Sequence, residues 1–162
     1  MTIQVGDKIP TATLFEIGDD GLGTVSTDEL FAGKTVVLFN APGAFTPTCS
    51  AKHLPGFIEK ADELKAKGVD AIIGMAVNDP FVMQAWGERL EVPKGLRMLS
   101  DGNADLTRAL GLEMDASGYG MGVRSKRFAL YAEDGIVKQL FVEAPGEFRV
   151  SSAEHVLANL PG

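Results

Sequence analysis

The sequence predicts an α/β domain spanning residues 1–162, built on a mixed central sheet. Three observations carry that expectation. Two short apolar runs, Thr35–Asn40 and Val69–Val77, are each followed by a segment of helical periodicity, as parallel strands joined by crossover helices require. Two later runs, Arg127–Glu133 and Ile136–Glu143, meet at Asp134-Gly135, a strong hairpin signal that adds an antiparallel edge. The chain has 162 residues and is 45% hydrophobic, enough for one domain with a sizeable core.

Residues 3–10 read as an irregular start, and Thr11–Ile17 as a strand that ends in the turn cluster Gly18-Asp19-Asp20-Gly21. Ser26 and Glu29 have capping-box spacing, so a short helix follows and stops at Gly33. After the central strand comes a helix over about Thr48–Lys67, with Gly68 as its stop. Leu54, Phe57, Ile58, Ala61 and Leu64 form its core face, and Pro55 inside it predicts a bend. Asp79 caps the next helix and Pro80 opens it, with Val82, Trp86 and Leu90 along one face. Leu96–Leu99 is a short strand, and Asn103 or Asp105 caps a short helix ending at Gly111. Residues 111–123 are glycine-rich but show neither GxGxxG after a strand nor a Walker pattern, and read as a loop. Ser151 and Glu154 repeat the capping-box spacing ahead of a last helix reaching about Leu160. This order matches a thioredoxin-like fold with an N-terminal extension.

The formal net charge of −7 argues against a nucleic-acid footprint and against anionic membrane surfaces. No apolar run is long enough to span a bilayer, and no secretory signal opens the chain. The single cysteine cannot form an internal disulfide and points to a reducing compartment, with the cytoplasm as the expected location.

That cysteine, Cys49, is where the chemistry concentrates. It follows the strand Thr35–Asn40 and a turn rich in Pro, Gly and Thr, and falls among the first residues of the next helix. Unpaired N–H groups and the positive end of the helix dipole both favour an anion there, and the thiolate is the nucleophilic form of cysteine. Thr46 lies three residues upstream, with a hydroxyl able to donate to the sulfur or to a bound oxygen. Pro42 and Pro47 stiffen the loop, and Gly43 permits close backbone approach to a small ligand. A lone cysteine is more often a small buried hydrophobe, so the surroundings must decide.

Three basic residues, Arg124, Lys126 and Arg127, precede the hairpin, and a solvated basic patch is the ordinary reading of such a group. Strand alternation puts Arg127 on one face with Ala129 and Tyr131, and Phe128 and Leu130 on the other. Spacing alone leaves Arg124 as the alternative partner for a thiolate. His53, four residues after Cys49, shares its helical face, although an ordinary hydrogen-bonded helix histidine is the commoner case. With His155 the chain offers at most three Cys/His ligands and no ligand spacing, so neither metal nor cofactor is expected. A hydrolase using Cys49 and His53 lacks a visible third group to hold its base.

The spacing Pro42-x-x-x-Thr46-x-x-Cys49, and the longer string PGAFTPTCSAKHLPGF, resemble the active-site signature of the peroxiredoxins, type II (peroxiredoxin V-like) branch. The similarity extends to VNDPFVMQAW and to the RSKRFAL segment. It implies a peroxidase in which Cys49 attacks hydrogen peroxide or organic hydroperoxides and becomes a sulfenic acid. Thr46, Pro42 and Arg127 would surround the reacting atoms, with Gly43 and Thr48 at the substrate. Gly74 stands where some type II relatives carry a second cysteine, so an external thiol (glutathione, a glutaredoxin or a thioredoxin) would regenerate the enzyme. The resemblance also implies a homodimer. The competing reading is a thioredoxin-like redox sensor without fast turnover.

Overall fold

The structure, a computed structural model, describes residues 2–161. β1 (Thr13–Gly18) and β2 (Gly21–Ser26) form a hairpin about the expected turn. Ser26 Oγ then accepts the Glu29 N–H at 3.1 Å and opens α1 (Thr27–Phe31). β3 (Thr35–Ala41) leads through a loop into a π-helical turn, Cys49–His53, continuous with α2 (Leu54–Ala66). Two strand–helix pairs follow, β4 (Ala71–Ala76) with α3 (Pro80–Arg89) and β5 (Leu96–Ser100) with α4 (Asp105–Leu110), and then a small ribbon of β6 (Glu113–Asp115) and β7 (Val123–Ser125). The hairpin β8 (Phe128–Glu133) and β9 (Ile136–Val142) precedes the closing helix α5 (Ala153–Asn159).

The main sheet has seven strands in the order β2-β1-β5-β4-β3-β8-β9. β3, β4 and β5 run parallel, while β8 and β9 on one side and β1 and β2 on the other are antiparallel. Asp134 and Gly135 take positive φ of 49° and 78°, as a tight two-residue hairpin demands. Alternation along the strands sorts side chains into two buried layers. Val37, Phe39, Ile72 and Tyr131 pack with Phe57, Leu64, Trp86 and Val156 of α2, α3 and α5. Val36, Leu38, Ile73, Phe128 and Leu130 pack with Leu30, Phe31, Leu106 and Leu110 of α1 and α4. Burying each such side chain contributes about 1.5–3 kcal/mol, so both layers stabilise the sheet that carries the site.

Several local expectations change in the fold. β2 carries two glycines, a threonine and a serine among its six residues and is mostly exposed, so it has no apolar alternation to read. Pro55 does not fall inside one continuous α-helix. The Leu54 N–H closes onto Cys49 O in a π turn, and α2 begins there with Pro55 in its first turn, where its missing N–H costs little. On α3 it is Met83, not Val82, that is buried beside Trp86. α4 is not capped by Asn103 or Asp105. Ala104 sits at the cap with φ 61°, and the Asp101 carboxylate reaches in from the end of β5 to accept the N–H groups of Leu106 (3.1 Å) and Thr107 (2.7 Å). Ser152, not Ser151, caps α5, accepting the His155 N–H at 3.1 Å. The glycine-rich loop holds the β6–β7 ribbon, too short to show a period.

Gly74, in the middle of β4, points into the same layer as Cys49. A Cβ there would lie 2.8 Å from Phe39 Cζ and 3.2 Å from Met98 Sδ, and Phe39 is itself stacked on Phe57 with centroids 4.1 Å apart. A side chain can enter only by displacing these rings. Gly74→Ala should therefore lower the unfolding free energy by about 1–3 kcal/mol, measured by urea denaturation.

Candidate active site

The end of β3 and the start of β8 create the site. Asn40 pairs with Phe128 across the antiparallel β3–β8 ladder, so the loop leaving β3 and the residue entering β8 lie side by side. Pro42 to Thr46 make the loop. Ala44 N–H donates to Asn78 Oδ1 at 2.9 Å, which ties the loop to the turn after β4. Phe45 takes a positive φ of 64°, a conformation that costs a non-glycine residue energy and turns the chain sharply into the helix. The Ser50 N–H is the first to reach a helical carbonyl, that of Thr46 at 2.9 Å. Cys49 thus sits in the first turn, where N–H groups lack intrahelical partners and an anion is favoured.

Cys49 is fully buried. It is not sealed in apolar packing, because Arg127 Nη2 donates to its Sγ at 3.1 Å. The alternation read from the sequence holds: Ala129 and Tyr131 belong to the layer on the Cys49 side, Phe128 and Leu130 to the other. The same guanidinium places Nη1 2.9 Å from His53 Nδ1 and lies over the Phe148 ring, 5.8 Å from its centroid. His53 shares the buried helical face with Cys49, and its Nε2 donates to Ser151 O at 3.0 Å. Arg124 is close by but differently engaged: its Nε donates to Met121 O at 2.8 Å.

A cavity of about 380 Å³ is walled by Pro42, Thr48, Arg127 and Glu143 together with Met114 and Tyr119 from the ribbon region, so Arg127 belongs both to its wall and to the buried sulfur. Pro42 and Thr48 are both part of the cavity wall. Thr46 is beside the cysteine in the chain, but its hydroxyl donates to Gly43 O at 2.6 Å and braces the loop. Gly43 is buried by the protein itself. A Cβ there would come within 2.9 Å of Met121 Cε, 3.0 Å of Thr46 Cγ2 and 3.2 Å of Arg124 Nη1. The space beside this glycine is thus filled by side chains of the ribbon region and of its own loop. Glu143, Phe148 and Ser151 were missed altogether. Their only sequence signal was a strand end and a capping pattern, and their roles arise from a turn folding back over α2.

The sole tryptophan, Trp86, donates from Nε1 to Ser50 Oγ at 2.9 Å, next to Cys49 in the chain, and supplies a built-in optical reporter.

His53 is buried, and that burial, aided by the Arg127 charge and opposed by the Ser151 hydrogen bond, pushes its pKa down from 6.5 to about 3. The folded protein keeps this imidazole neutral where the unfolded chain would protonate it. Protons therefore bind preferentially to the unfolded chain between about pH 6.5 and 3, and stability falls as pH drops through that window. Between pH 7 and 5 the wild type should lose about 2 kcal/mol of unfolding free energy from this residue, and His53→Asn should lack that loss in parallel urea titrations.

Residues 4–157 match the Redoxin family profile. The chain is 60% identical over 164 residues to the chloroplastic peroxiredoxin-2E-2 of Oryza sativa subsp. japonica, covering 98% of this chain and 73% of that one. It is 54% identical over 159 residues to peroxiredoxin-2B of Arabidopsis thaliana, covering 98% of each. The crystal structure of reduced Prx3 from Vibrio vulnificus in complex with H2O2 aligns with a TM-score of 0.94 at 54% identity, over 97% of this chain and 98% of that one. Together with a single cysteine at a helix start under a guanidinium, these likenesses show that the chain belongs to the Redoxin family as a type II peroxiredoxin of the single-cysteine form, a thiol-dependent peroxidase with a thioredoxin-like fold.

Proposed function

We propose that Cys49 is the peroxide-reactive sulfur and that Arg127 is the donor that serves it. The observation that carries this reading is the 3.1 Å hydrogen bond from Arg127 Nη2 to Sγ at the first turn of a helix, with the same arginine in the wall of a cavity. The thiolate attacks the near oxygen of the peroxide, the O–O bond breaks, and Sγ becomes a sulfenic acid. The departing hydroxide or alkoxide takes up a proton and leaves as water or alcohol. Full ionisation of an ordinary thiol at neutral pH gains only about thirtyfold in rate, roughly 2 kcal/mol. The remainder of the acceleration comes from donors aimed at the oxygen that gathers charge as the bond breaks. The Arg127 guanidinium and the N–H groups of the first turn supply them, with Pro42 and Thr48 shaping the entrance. Thr46 serves by swinging its hydroxyl from Gly43 O to the incoming peroxide.

With Cys49 as the only cysteine, regeneration falls to an external thiol. One thiol condenses with the sulfenic acid to a mixed disulfide and water, and a second releases Cys49 and a disulfide. Glutathione, a glutaredoxin or a thioredoxin meets this requirement, and the cytoplasm, being reducing, supplies all three. The enzyme acts as a homodimer in this reading. Support comes from Phe45, 51% exposed on the loop before Cys49, and Phe81, 62% exposed in the first turn of α3, two neighbouring segments linked by the Ala44–Asn78 hydrogen bond. Sedimentation of the reduced protein at twice the chain mass is the expected result, and a monomer at micromolar concentration would remove that part.

Stopped-flow mixing with hydrogen peroxide, followed by Trp86 fluorescence, tests the chemistry. Cys49→Ser should show no reaction. Arg127→Ala should fold and react on the order of 100-fold more slowly, while Arg124→Ala stays within a few-fold of wild type. The reverse ranking of the two arginines would move the assignment to Arg124. Peroxide consumption supported in turn by glutathione, glutaredoxin with glutathione, and thioredoxin identifies the reductant. A protein that oxidises once and turns over with none of them is a sensor instead.

A further inference from the structure

We propose that His53 is a positioning residue for Arg127, and that the Glu143–Ser151 pair behind it holds the imidazole in the tautomer this requires. The inference rests on Cys49 being the peroxide-reactive sulfur. Arg127 makes no ion pair with a carboxylate among the described residues. A carboxylate touching the guanidinium would steady it but would compete with the sulfur for its charge. A neutral imidazole steadies it without that competition, provided the nitrogen facing Arg127 carries a lone pair.

The surroundings supply that condition in three steps. Nδ1 lies 2.9 Å from Arg127 Nη1 and so must accept, which leaves the proton on Nε2. Nε2–H has its acceptor in the Ser151 carbonyl at 3.0 Å. Ser151 is held in turn by Glu143, whose Oε2 accepts the Ser151 N–H (2.8 Å), the Ser151 hydroxyl (2.7 Å) and the Arg149 N–H (2.8 Å). Burial opposes the charge on Glu143, but these hydrogen bonds and one from Val150 outweigh it and hold its carboxyl below the usual range. Phe148, inside the same turn, packs edge-on against His53 at 5.3 Å and beneath Arg127. The Glu143 N–H also donates to Arg127 O at 3.0 Å, so backbone and side chain of the arginine are fixed from one segment. Desolvation keeps the imidazole uncharged, which is the state this chain of bonds needs.

The experiment compares His53→Phe, which keeps a ring but has no acceptor, with His53→Asn, whose Oδ1 can stand where Nδ1 stood. For each, the rate of sulfenate formation with hydrogen peroxide is divided by the rate of Cys49 alkylation with iodoacetamide. A general loosening of the site moves both rates together. Loss of an aimed guanidinium lowers the peroxide rate beyond any change in thiolate fraction that both reactions share. The expected result is a fall of this ratio by tenfold or more in His53→Phe and by less than about threefold in His53→Asn. In the Arg127→Ala background His53→Phe should add nothing further. A ratio for His53→Phe within twofold of wild type overturns the proposal, as do independent, multiplying effects of the two substitutions. Should His53→Phe fail to fold by circular dichroism, Glu143→Ala is read the same way, and a wild-type ratio there overturns it equally. A wild-type protein that forms no sulfenate takes down the assignment of Cys49 as well, whereas a reactive wild type with an unaffected variant takes down only this one.

Discussion

A single contact between one sulfur and one guanidinium organises this protein. Cys49 and Arg127 are 78 positions apart, and the β3–β8 pairing brings them together at 3.1 Å. Opposite unit charges about 4 Å apart attract by roughly 1 kcal/mol in water and about 4 kcal/mol at an effective dielectric near 20. The contact therefore gains most of its value from being buried. Burial brings its own cost, since an unpaired guanidinium or thiolate inside a protein is strongly disfavoured. Much of the remaining site can be understood as satisfying the donors that this pairing leaves over.

The segment from Glu143 to Ser151 does much of that. It lies over the helix carrying Cys49, sends a carbonyl to His53 and a ring beneath Arg127, and contributes Glu143 to the cavity wall. On the opposite side, Met121 and Arg124 fill the space left by Gly43, so the loop before Cys49 is held from both flanks. The π turn at Cys49–His53 belongs to the same design. It leaves Pro55 in the first turn of α2, and it coincides with the two side chains that meet Arg127. Single-turn π segments of this kind are frequent at functional sites, where they cost some helical hydrogen bonding and re-aim side chains.

The buried sulfur also separates two demands. A peroxide is small, and Arg127 links the cavity wall to the buried Sγ. A thiol reductant is larger and must reach the sulfur in line with the bond it breaks. The first demand favours a closed, water-poor site with fixed donors; the second favours a loop that can give way.

Local chemistry was enough to read much of the molecule from its sequence. The strand–loop–helix around Cys49, the Asp79-Pro80 helix start, the Asp134-Gly135 hairpin and the facing of Arg127 all depend on residues within a few positions of one another. Strand alternation placed Arg127 on the correct layer. Only tertiary packing decided that Arg127 and not Arg124 touches the sulfur, because the register between β3 and β8 sets that and no spacing within either strand encodes it. The same holds for the Asp101 cap of α4, the Glu143–Ser151–His53 chain and the filling of Gly43. Each joins a side chain to a backbone group brought near by a separate part of the fold, and a hydrogen bond between distant segments leaves no period or motif in the sequence of either.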